Sequence, residues 1–135
     1  MFLFTSHKHL KTTKIIYRVS TVALALFILP GIFFINSPMA IEGIRHVGPF
    51  PEWFRLEVGI ATFLGGLVIA LPWFGSRLKE WAYVGIGIVY ISALIAHLVV
   101  DGFVAVSIMP VVTFAILATS YITYHKLLDA REMKA

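Results

Sequence analysis

The sequence contains no cysteine. It therefore forms no disulfide, performs no thiol exchange of its own and ligates no iron–sulfur cluster. Charge is scarce as well, at 13% of residues against 59% hydrophobic, a balance far from that of a water-soluble domain. Also missing are the glycine-rich phosphate loop, the G-x-S-x-G nucleophile elbow, the C-x-x-C-H haem attachment and the H-x-x-x-H or H-E-x-x-H metal spacings. Neither soluble-enzyme chemistry nor a metal centre is expected. Any redox role has to be borrowed from a partner or a bound molecule.

What the chain does have is apolar length. A hydrocarbon layer about 30 Å thick takes roughly 20 helical residues to cross, and four segments qualify, at about 15–35, 54–74, 81–100 and 103–124. The expected fold is an all-α membrane protein: a four-transmembrane up-down-up-down helix bundle over residues 15–125, flanked by tails at 1–14 and 126–135. The first tail, with His7-Lys8-His9, reads as disordered and basic rather than as a metal site. The first run follows basic residues as a secretory signal would, but it is too long for one and no small-x-small site follows, so it is expected to stay as an uncleaved span. Pro30-Gly31, late in that span, is expected to kink or loosen it.

The net charge of +4 needs no nucleic acid to explain it. If the spans alternate, Lys8, Lys11, Lys14, Arg18, Arg77, Lys79, Lys126, Arg131 and Lys134 fall on one side and only Arg45 and Arg55 on the other. The excess of basic residues on the cytoplasmic side then places both termini in the cytoplasm. The expected location is a bacterial inner membrane, with membrane lipids as partners, no nucleic acid, and room for another membrane or redox protein or further copies of the chain.

The link between the first two spans is not slack. Ser37-Pro38 reads as an N-cap with proline at the first helical position, and Gly48-Pro49 as a stop. Between them Ile41, Ile44 and Val47 share one face, and Glu42, Arg45 and His46 another, which implies a short interfacial helix on the outer side. The turns at 75–79 and at Asp101-Gly102 are short enough to make consecutive spans antiparallel neighbours.

Residues seven apart on a helix return to nearly the same face, so Tyr83, Tyr90 and His97 form one stripe ending at Asp101. Facing lipid, such a stripe would leave polar tips in hydrocarbon, so it is expected to face the bundle. Glu57 shares its face with Ala61 and Gly65, and Gly66, Ser92 and Ala96 offer further close-packing positions. These placements define a candidate pocket of Glu57, Tyr90, His97 and Asp101, rimmed by Arg45, His46 and Arg55 and roofed by residues 37–48. Plainer roles stand beside it: Glu57 as a first-turn acid paired with Arg55, Asp101 as the N-cap of the fourth helix, the tyrosines as packing residues. Glu80 opens its helix with no chemistry assigned.

At Pro51-Glu52-Trp53-Phe54, Leu78-Lys79-Glu80-Trp81-Ala82-Tyr83-Val84-Gly85 and Ala96-His97-Leu98, the sequence resembles the DoxX-like family of small bacterial membrane proteins. The resemblance runs from the first span to Ser120-Tyr121-Ile122. It implies a four-span bundle associated with membrane oxidoreductase systems, since relatives include a small subunit of a thiosulfate:quinone oxidoreductase and a partner of antioxidant enzymes. Many relatives carry a lysine where this chain has Thr62, and a Gly-Asp order where it has Asp101-Gly102. The expected function is an accessory subunit, not catalytic alone, with an outward-side pocket for a quinone, a lipid or another lipophilic molecule. Two alternatives are an assembly factor acting through helix contacts and an oligomeric proton-coupled carrier using Glu57 and His97.

Overall fold

The computed structural model of the chain describes residues 2–134, apart from the side chains of residues 2–9, 106 and 134. The His7–Lys8–His9 side chains lie outside the described residues. Five α-helices and one 3₁₀ segment account for almost all of the rest, with no strand among the described residues. Helix α1 spans Phe2–Ile28, so the stretch expected as a disordered tail instead prolongs the first helix. Its end tightens into a 3₁₀ segment at Leu29–Phe34, where Pro30 removes a backbone donor.

The link then forms helix α2, Pro38–Val47, as its punctuation predicts: the Ser37 hydroxyl accepts from the Ala40 N–H at 3.2 Å. Helix α3, Glu52–Ala70, stops four residues before the expected 74. Pro72 is the reason, since it forces Leu71 into an extended conformation. Helix α4, Ser76–Val100, starts at once after the turn. It closes at Asp101, and Gly102, at φ +73°, reverses the chain in a conformation that a side chain would strain. Helix α5 spans Ala105–Lys134. Four segments are long and apolar enough to cross a membrane: Leu10–Phe34, Glu52–Ala70, Ser76–Val100 and Ser107–Met133.

The long helices form a closed ring, α1 against α3 and α5, α4 against α3 and α5. Close contacts fix the registers. On α3, Gly65 lies against Ile86 of α4 while Gly66 lies against Ile28 of α1; between α1 and α5, Thr21 meets Ser120 and Tyr17 meets Tyr124. In that last pair one number rises as the other falls, so the two helices run in opposite senses.

The outside is as apolar as the inside: Leu26, Ile88, Ile95 and Val99 are among many large hydrophobics left exposed. Among the described residues, the buried set holds six hydrophobics and eight polar or charged residues. With hydrocarbon as solvent, burying another leucine gains little, and interhelical hydrogen bonds and close approach hold helices together instead.

Candidate functional site

Two polar clusters sit at opposite ends of the ring. At the α2 end, Asp101 is the hub. His97 lies one turn earlier on α4, so helical spacing brings its Nδ1 to 3.3 Å from Asp101 Oδ2. Helix α2 packs on α4 and delivers His46, whose Nε2 donates to Asp101 Oδ1 at 2.5 Å. These two hydrogen bonds, His46 first, hold the Asp101 carboxyl below the usual aspartate range. Each imidazole thus spends one ring nitrogen on the carboxylate and keeps the other for something else. His97 and Asp101 are about one-fifth exposed, His46 more than half.

The structure joins some of the expected pocket and separates the rest. His97 and Asp101 meet, and His46, expected at the rim, is a full member. The capping role of Asp101 gives way: its side chain turns back to α4 and α2, and it is Ser107 whose hydroxyl donates to the Gly102 carbonyl ahead of α5. Tyr90 is half-buried against the core, and its hydroxyl makes no hydrogen bond to a described residue. Glu57 is exposed and makes no polar contact with His97. Its helix buries Arg55, Gly66 and Ile69, a face on the far side from position 57.

Arg55 is no rim residue. It is 7% exposed and donates to the Ile35 carbonyl and to Asn36 Oδ1 at 3.1 Å, which lashes the end of the 3₁₀ segment to the start of α3. Arg45 stays exposed, 3.9 Å from Glu42. Of the expected packing residues, Gly65 and Gly66 make close approaches and Ala96 is half-buried, but Ala61 and Ser92 face outward. Thr62 leaves its hydroxyl oxygen buried without a partner.

The other cluster, at the α3–α4 turn, is denser, and reading the residues one helix at a time misses it. Tyr83, Ser120 and Thr21 form a buried chain of hydroxyls, each link 2.7 Å. Glu80 receives the Tyr121 hydroxyl on Oε1 and His125 Nε2 on Oε2, both at 2.6 Å. Lys79, 5% exposed, reaches the Ile69 carbonyl at 3.3 Å, at the negative end of α3, with Nζ 5.6 Å from the Tyr124 ring centroid. Four of the five tyrosines gather here, at ring separations of 5.4–5.9 Å. The one available signal was the L-K-E-W-A-Y block itself, whose polar members all turn out to be engaged.

Two hollows flank α1, the smaller one bordered by Thr21 of the hydroxyl chain. One, of about 590 Å³, runs between α1 and α5; the other, of about 210 Å³, lies between α1 and the end of α3. Among the described residues no group of three or more His, Asp or Glu is placed to hold a metal ion.

Four apolar spans around hydrogen-bonded polar clusters define a small multi-pass membrane protein. Residues 19–120 match the model of the DoxX-like family, and the chain belongs to that family. No curated protein and no solved structure matches it.

Proposed function

We propose that the protein is an accessory subunit of a membrane oxidoreductase system, and that its α2 end receives the head of a quinone-like molecule. The observation that carries this reading is the single carboxylate of Asp101 holding two imidazoles at the end of a membrane span. A carboxylate fixes the orientation of each ring, and the second nitrogen of each then accepts from a ligand hydroxyl, or donates to a ligand carbonyl when the ring carries a second proton. Tyr90, on the face of His97 and with a free hydroxyl, offers a further hydrogen bond deeper in the span. Glu57 has no part in it.

The excess of basic residues at the opposite end supports an outward-facing position for this one, in a bacterial inner membrane. Binding of a short-chain quinone analogue to the protein in lipid nanodiscs tests the reading. A hydrogen bond assisted by charge contributes about 1.5–3 kcal/mol, so His97→Ala is expected to weaken binding about tenfold to a hundredfold. Equal affinity in the wild type, His97→Ala and Asp101→Asn would refute it.

A second reading, an assembly factor working through helix contacts, draws on a different observation. Ala61 and Ser92 face outward, and Ala61 stands one turn from the exposed, unpaired Glu57. Small and polar residues on a lipid-facing surface suit another helix better than they suit acyl chains. Under this reading Ala61→Leu and Ser92→Leu abolish co-purification of a partner and leave quinone binding intact.

A further inference from the structure

The groove between α1 and α5 belongs to neither polar cluster. Its walls include Ile16, Val19 and Ala23 on one side and Val112, Ala115 and Thr119 on the other. Its two hydroxyls are already spent: Ser20 donates to the Ile16 carbonyl at 2.7 Å, and Thr119 to that of Ala115 at 2.9 Å. With both hydroxyl donors committed to the backbone, the walls offer no free donor, and the groove suits a hydrocarbon chain better than a polar molecule. Its volume of about 590 Å³ is within the range of ligand sites, about 300–1,000 Å³.

One end of the groove is different. The Tyr17–Tyr124 pair sets the register, and two residues further along in each helix Ile15 of the groove stands level with Lys126. Lys126 lies seven residues beyond Thr119, on the same face of α5; Lys11 lies one turn before Ile15 on α1. Both lysines are exposed, and neither pairs with a carboxylate among the described residues. Position 11 also precedes the apolar run that opens at Ile15, while Lys126 follows the one that closes at Tyr124. An apolar slot therefore leads to two unpaired ammonium groups at the depth where lipid headgroups lie.

We infer that this groove is a binding site for an anionic phospholipid, with an acyl chain between α1 and α5 and the phosphate held by Lys11 and Lys126. The site is independent of the quinone reading, since it uses none of the same residues and its lysines lie at the opposite end.

Native mass spectrometry of the protein released from nanodiscs of equimolar phosphatidylglycerol and phosphatidylcholine tests it. The wild type is expected to keep phosphatidylglycerol in preference, by about fivefold per lysine. Lys11→Gln with Lys126→Gln is expected to bring the two lipids to parity while a lipid is still retained. Ala115→Trp, which fills the slot from an exposed position, is expected to lose both lipids. Equal retention by the wild type, a preference that survives in the double variant, or a lipid that stays bound in Ala115→Trp each overturns the proposal. Both lysines and Ala115 are exposed, so a thermal melt that matches the wild type separates loss of lipid from loss of fold.

Discussion

At the scale of single residues, Asp101 carries more of the α2 end than its place in a two-residue turn implies. Its carboxyl is held below the usual range near about 3.9, so it is ionised and doubly hydrogen-bonded at neutral pH. A lowered value means that the contribution is complete above the ordinary range and is lost only as pH falls through the lowered one. Hydrogen exchange of the α2 amides in nanodiscs is therefore expected to stay slow until the pH drops below about 4, whereas Asp101→Asn, which surrenders the charge, is expected to exchange fast at pH 7. Slow exchange in that variant at neutral pH would show that α2 is held by its apolar face alone. Ser120 offers the matching test at the other end. It is wholly buried and bridges the hydroxyls of Thr21 and Tyr83. Ser120→Ala orphans both, and an expected loss of about 1–2 kcal/mol in a detergent-unfolding titration follows; an unchanged midpoint means the two hydroxyls find each other.

At the scale of helices, the glycines differ in what surrounds them. A Cβ on Gly66 would stand 2.8 Å from Ile28 Cγ2, a branch methyl that cannot swing aside, so Gly66→Ala is expected to push α1 from α3 and lower the melting temperature. Gly43, in the middle of α2, has nothing within 4 Å, and Gly43→Ala is expected to raise α2 stability by about 0.5–1 kcal/mol. Opposite shifts in one thermal-melt series check both. The same contrast shows what the sequence makes legible. Helix α2 is readable because Ser37-Pro38 and Gly48-Pro49 are local signals, and the meeting of His97 with Asp101 follows from helical spacing. The partners of Glu80 lie 41 and 45 residues away, and those of Ser120 lie 37 and 99 away. No local pattern reports such distances. Helix rotation is hidden for a related reason: α5 spreads its polar and apolar residues around all its sides, so nothing in its sequence says which face meets α1. Ala61 and Ser92 read as inward on size and polarity alone, whereas their helices turn those positions outward.

For the molecule as a whole, the fold sharpens the argument for orientation. Of the eleven basic residues, Arg55 and Lys79 are buried, each committed to a backbone carbonyl, so neither presents charge to a membrane surface. Removing them leaves eight basic positions at the α3–α4 turn end and Arg45 alone at the α2 end, a steeper bias than the nine against two counted from the sequence. Basic residues close to the ends of spans resist transfer across the inner membrane, so we propose that the turn end and both termini lie in the cytoplasm and α2 outside. The lack of cysteine makes this directly measurable. In intact spheroplasts a membrane-impermeant maleimide is expected to label Gly43→Cys, on exposed α2, and to reach Lys126→Cys only after lysis. The reverse pattern would turn the bundle over and put the two imidazoles of the Asp101 cluster on the cytoplasmic face. The quinone reading would then lose its outward direction but keep its geometry, because the Asp101 contacts depend on how α2 packs against α4 and not on which compartment they face.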